Sequence, residues 1–223
     1  MAGLSQYSAV NLVGEAGVDP ARWNRTPPEA EVAETIYAVG KRGVPVVRAR
    51  DRAGALEALT RIVPRGAEVM NGSSTTLIEI GYEALLASGK AGWVDLHERI
   101  TAENDNRKRG ELRRKAVTAE YFFSGANAIA MTGEIVACDR TGSRVGAWPF
   151  AAGHLVIVCG TNKIVPSLDD ALRRVREYAF PLENARAKHA YGTPSRIGKC
   201  VILANEETEG RVTLVLVDEA LGY

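Results

Sequence analysis

Residues 154–160 read HLVIVCG: five apolar residues in succession, Leu155 to Cys159, bounded by glycine. A run this short and this apolar reads as a buried strand. What surrounds it sets the fold class. PEAEVAETIYAVGKRG (28–43) predicts a helix stopped by Gly43, VPVVRA (44–49) a strand, and DRAGALEALTRIVP (51–64) a helix with Asp51 or a neighbour as its cap. GAEVM (66–70) predicts a strand, residues 75–88 a helix, GWVDLH (92–97) a strand, and residues 106–119 a helix with Leu112, Ala116 and Val117 on one face. SLDDALRRVREYAFPLENARAK (167–188) predicts a helix opened by Ser167 or Asp169, kinked or ended at Pro181. KCVILANEE and GRVTLVLVDEALGY predict two closing strands. Strands alternating with helices of this length specify an α/β domain with a mainly parallel sheet. The boundaries expected are an N-terminal extension over 1–27 and one α/β domain over 28–223.

Composition excludes several function classes. The 28 Lys+Arg against 27 Asp+Glu leave no bulk charge for nucleic acid, and RKRGELRRK (107–115) reads as the solvated face of a helix. No apolar run approaches the roughly 20 residues of a membrane span, and the first residues lack a signal-peptide pattern. A cytoplasmic protein with no nucleic-acid and no membrane partner is the expectation. Cys138, Cys159 and Cys200 are far apart, without C-x-x-C spacing, and read as reduced core residues. His97, His154 and His189 are isolated too, so no metal is expected. Dinucleotide and P-loop glycine motifs are missing, so no cofactor is expected either.

In an open parallel sheet, ligands collect beyond the C-terminal strand ends. Three loops rich in small polar residues are placed there: NGSSTT (71–76), SGANAIAMTG (124–133) and GTNKIV (160–165). CDRTGSRVG (138–146) adds Asp139, Thr141 and Arg144. In the first loop Gly72 would let the backbone approach a ligand, with Asn71, Ser73, Ser74 and Thr75 as donors. Thr76 and Glu79 could instead form a capping box, the plain helix-start reading of the same stretch. Gly125, Asn127 and Asn162 would line the other loops, and Arg144 and Lys163 would supply positive charge for a carboxylate or phosphate. Glu134, Asp139 and Lys163 are the candidates for acid–base chemistry. The turn GAWPF (146–150) and the long amphipathic helix offer spare apolar surface, which points to a homo-oligomer.

The runs GSSTTLIEIG (72–81), TAEYFFSGANAIAMTGEIVACDRTGSRVGA (118–147), HLVIVCGTNKIVPSLDDALRRVREYAFPLENA (154–185) and GRVTLVLVDEALGY (210–223) together resemble the LUD-domain family of lactate utilization proteins. The resemblance implies a three-layer α/β fold similar to the sugar-isomerase and CoA-transferase superfamily. It also implies a link to oxidation of L-lactate to pyruvate beside iron–sulfur oxidoreductase subunits. Where relatives of this length carry several cysteines after the long helix, this chain keeps Cys200 alone, so no cluster is expected there. Two other readings of the same pocket stay open: a stand-alone isomerase, lyase or transferase acting on a sugar phosphate or small acid, and a module that senses a metabolite.

Overall fold

The computed structural model describes residues 9–223. Its main sheet has six strands, all paired in parallel: β1 (Val46–Ala49), β2 (Glu68–Asn71), β3 (Val94–Asp95), β4 (Tyr121–Gly125), β7 (His154–Gly160) and β10 (Val212–Val217), in the order β1-β10-β7-β4-β2-β3. The apolar run of β7 is central, between β10 and β4, and Leu155–Cys159 are all buried. Its side chains alternate between two cores, as the period of a strand requires. Leu155, Ile157 and Cys159 pack on one face with Phe122 and Leu214. Val156 and Val158 pack on the other with Phe123 and Val215.

Helices α4 (Arg52–Ile62), α5 (Thr75–Glu79) and α6 (Tyr82–Ala87) contribute Leu59, Leu77 and Tyr82 to the second of these cores. The opposite face is covered by α3 (Glu29–Lys41) and by a second, mixed sheet of four strands. That sheet runs β8 (Ile164–Val165), β5 (Ala128–Ala130), β6 (Ile135–Asp139) and β9 (Lys199–Leu203), and packs on its far side against α9 (Leu168–Arg174) and α10 (Phe180–Tyr191). The architecture is α/β, a parallel central sheet with layers on both faces.

Several elements differ from the sequence reading, each for a local reason. The helix expected over 75–88 is two helices, broken at Gly81, whose φ of +87° only glycine adopts readily. The strand expected over 92–97 pairs only at Val94–Asp95, because Asp95 then caps α7 (Leu96–Ala102) by accepting the His97 N–H at 2.8 Å. The helix expected over 106–119 ends as α8 (Asn106–Lys115), which has no buried residue; Ala116 begins a 3₁₀ turn. Pro181 neither ends nor sharply divides its helix. A π turn over Val175–Ala179 absorbs the amide it lacks, and the chain stays helical from Leu168 to Tyr191. The first closing strand, β9, lies in the second sheet, antiparallel to β6. Within the expected N-terminal extension, α1 (Ala9–Ala16) and α2 (Pro20–Trp23) bury Leu12 and Trp23 against the α9–α10 layer.

Candidate functional site

Three neighbouring parallel strands, β2, β4 and β7, end side by side at Asn71, Gly125 and Gly160. Beyond them opens a cavity of about 430 Å³, which continues past the end of β6 to α10 and the segment before β9. Ser73, Ser74 and Thr75 line it from the first loop, Gly125, Ala126 and Asn127 from the second, and Lys163 from the third. Asp139, Arg140, Thr141, Ser143 and Arg144 line it from the end of β6. The Ser73–Thr75 turn, Asn127, Arg144 and Lys163 therefore share one cavity.

Lys163 is buried, 2% exposed, with no carboxylate bonded to it. Its ammonium donates to Thr76 Oγ1 at 2.9 Å and to the Ala126 carbonyl at 2.9 Å, both neutral acceptors. Burial draws its pKa down to about 8, and the nearby Arg174 and Arg144 add to the effect, against Cys159 and Glu79. Arg144 is half-buried; its guanidinium donates to the Gly125 carbonyl, to Asn127 Oδ1 at 3.1 Å and to the Cys138 carbonyl at 2.5 Å. Desolvation pulls its pKa below the ordinary guanidinium value. Here too every acceptor is neutral.

The cavity is lined by Arg113, Arg140, Arg144, Lys163, Arg186 and Arg196, against the carboxylates Asp139 and Glu183. Both carboxylates are engaged. Asp139 accepts the backbone N–H groups of Gly142, Arg144 (2.9 Å) and Val145 (3.2 Å), closing the turn that carries Arg144. Glu183 accepts Arg186 through both oxygens and the Tyr223 hydroxyl, each at 2.7 Å. Arg186 is thus paired with Glu183, whereas Lys163 and Arg144 meet only neutral oxygens, and cations outnumber carboxylates in the lining.

Two glycines make the geometry possible. A Cβ on Gly125 would stand 2.5 Å from Ser74 Oγ, so a side chain there would push the capping hydroxyl of α5 out of its place. A Cβ on Gly72 would overlap the Arg144 stem. The space that the sequence reading gave to a ligand at Gly72 is thus filled by Arg144.

Other candidates fall outside the cavity. Asn71 is half-buried and directs Nδ2 only at the next carbonyl, Gly72, at 3.4 Å. Glu134 sits in the β5–β6 turn, where Arg42 donates to it at 2.5 Å and Thr132 also bonds it; it lines no part of the cavity. Asn162 is buried as a clamp on the C-terminal segment, accepting the Leu221 N–H at 3.1 Å and donating to Asn24 Oδ1 at 2.6 Å. The α5 cap is Ser74, which accepts the Leu77 N–H at 3.3 Å, and Glu79 accepts the Gly222 N–H at 2.7 Å, so no Thr76–Glu79 capping box forms. Thr76 serves instead as the Lys163 acceptor.

The sequence reading missed Arg174, fully buried behind the site. It donates to the carbonyls of Asn127 and, at 2.9 Å, Trp23, while its Nη2 has no partner. Desolvation brings its pKa down to about 10. Glu183 and Arg186 were missed as well. Their only sequence signal is charge on the helix face that is otherwise apolar. Of the cysteines, Cys159 is buried, Cys138 half-buried and Cys200 exposed, so Cys200 is not a core residue. Among the described residues no three His, Cys, Asp or Glu side chains gather to hold a metal ion, and no helix is long and apolar enough to cross a membrane.

No curated protein is significantly similar to the chain. Among solved structures, a DUF162 family protein from Deinococcus radiodurans aligns over 86% of this chain and 99% of its own, with a TM-score of 0.50 and 10% identity. A second, eIF2B delta from Chaetomium thermophilum, aligns over 64% of this chain and 50% of its own at 19% identity, with a TM-score of 0.29. The first alignment concerns the fold alone, and the second is too loose to carry an argument. The LUD domain matches residues 32–217, a span that contains β1 to β10, Lys163, Arg144 and the Ser73–Thr75 turn. On that match the chain belongs to the LUD-domain family.

Proposed function

We propose that the strand-end cavity binds a small organic anion, a carboxylate or a phosphate. Through it the chain serves small-acid metabolism, in the L-lactate and 2-hydroxy-acid utilization after which its family is named. The observation that carries this reading is the pair Lys163 and Arg144, two cations held at one cavity with only neutral oxygens for partners. A desolvated cation without a counter-charge is costly, and an anion entering the cavity would supply that charge. Ser73 and Thr75 stand at the same cavity as further donors. A stand-alone isomerase, lyase or transferase working through a carboxylate base is less well supported, since Asp139 and Glu183 already hold donors of their own. Iron–sulfur oxidoreductase subunits as partners, and a homo-oligomeric state, belong to the same proposal.

The test is thermal shift and calorimetry on the full chain with L-lactate, pyruvate, inorganic phosphate and a set of sugar phosphates. At least one should raise the melting temperature in a saturable way. Replacing Lys163 with Met should then weaken it by about 1.5–3 kcal/mol, roughly 10- to 100-fold, the scale of a charged hydrogen bond. No saturable shift with any of these anions, or an unchanged affinity in Lys163→Met, overturns the proposal.

A further inference from the structure

The antiparallel register of β6 and β9 sets Cys138 directly opposite Cys200. Opposite residues of an antiparallel pair project from the same face of the sheet. That face is the one on which Val136 and Cys138 pack toward α9 and α10. The Cα separation of such a pair, about 4.5 or 5.5 Å by type, lies inside the range a disulfide spans, and its Cβ atoms need to close by no more than about 1 Å. The movement is available, because β9 is the edge strand of its sheet and its residues 199, 200 and 202 are exposed. The two thiols also differ in access. Cys200 faces solvent, while Cys138 lines the cavity and lends its carbonyl to Arg144.

We propose that Cys138 and Cys200 form a reversible intramolecular disulfide in the cavity wall, made by reaction with a hydroperoxide. Cys200, the accessible thiol, attacks the terminal peroxide oxygen as its thiolate. The O–O bond breaks, the alcohol or water leaves with one proton, and Cys200 becomes a sulfenic acid. The Cys138 sulfur, opposite it, then attacks the Cys200 sulfur. The S–S bond forms, hydroxide departs, and the Cys138 proton converts it to water. In total two thiols lose two electrons and two protons, and one hydroperoxide is reduced to an alcohol and water. Burial holds the Cys138 thiol up at about 11 and raises the Cys200 thiol as well, so both steps quicken as pH rises, and access to the oxidant, not acidity, sets their order. The consequence lies next door. Ser195, Arg196 and Ile197 line the cavity immediately before β9, so the cross-link ties that wall to the strand carrying the Arg144 turn. This inference stands on strand register and does not depend on the anion proposal.

The experiment uses the full chain, reduced, desalted and exposed to stoichiometric hydrogen peroxide. Free thiols are then blocked with N-ethylmaleimide under denaturing conditions and the intact mass and peptide map are taken. A mass loss of about 2 Da before blocking, a peptide pair joining Cys138 to Cys200, Cys159 as the alkylated thiol, and reversal by dithiothreitol are expected. Cys159→Ser should keep the link and Cys200→Ser should abolish it. Three alkylated thiols, stable over-oxidation of Cys200 alone, or a link between two chains through Cys200 as the main product each overturn the proposal.

Discussion

Folding removes the Lys163 ammonium from water without giving it an opposite charge, and its pKa falls from 10.5 to about 8 as a result. In the unfolded chain the group keeps its proton up to the higher value. Between the two values the unfolded state binds more protons, so stability rises as pH climbs from about 8 toward 10.5. Below pH 8 both states are protonated and the destabilisation is fully present, about 3 kcal/mol at most. Urea titrations of Lys163→Met should lose this alkaline rise and show a more stable protein at pH 7. A variant that unfolds more easily at pH 7 would mean that the two hydrogen bonds outweigh the buried charge. The same proton governs the proposed ligand: phosphate or carboxylate affinity should weaken as pH passes through 8, and calorimetry should record proton uptake on binding near pH 8. Affinity constant to pH 10 would remove Lys163 charge from the site. Lys163 and Arg144 were legible in the sequence because cations among small polar residues stand out. Arg174 was not. It neighbours Arg173 in one helical repeat, and only the fold sends Arg173 to the exposed Glu177 and Arg174 into the core. Glu134 misled for the opposite reason, since its partner Arg42 lies 92 residues away.

Caps and periodicity made most elements readable. Asp51 accepts the Gly54 N–H at 2.8 Å, as its place before α4 suggested, and Asp51→Ala should lower stability by about 1 kcal/mol in thermal melts. A loss below about 0.3 kcal/mol would show that solvent replaces this cap. Gly125→Ala probes the junction of β4 with the α5 cap. The added methyl has to displace Ser74 Oγ, and a loss of about 1–3 kcal/mol is expected, with weaker anion affinity because Ser74 lines the cavity. Unchanged stability would mean that the Ser74 side chain simply rotates aside. The second sheet was hidden for want of length. β5 has three residues and β8 two, too few for any pattern to register. Gly81 was hidden because apolar spacing runs straight through it, and only its left-handed backbone divides α5 from α6.

Across the whole molecule, the α/β class and the convergence of loops at the strand ends followed from alternation alone. The depth of the charged side chains did not, because burial is a property of the assembled layers. The turn GAWPF splits between inside and outside: Trp148 is fully buried and donates to Ser124 Oγ at 3.0 Å, whereas Phe150 is 87% exposed. A homo-oligomer remains our proposal for this surface. Light scattering at micromolar concentration should return a multiple of 24.0 kDa, and Phe150→Ser should shift it toward the monomer. A wild-type mass of one chain would refute self-association. Gly72 and Arg144 fill a single volume, the glycine leaving the room that the arginine stem occupies. A side chain gained at 72 would meet the Arg144 Cβ at 2.7 Å as well as the stem beyond it, and any residue but glycine at 144 keeps that Cβ. Losing the arginine alone therefore does not free position 72: the two turns have to move apart before a side chain fits there, so the glycine outlasts the arginine in descent.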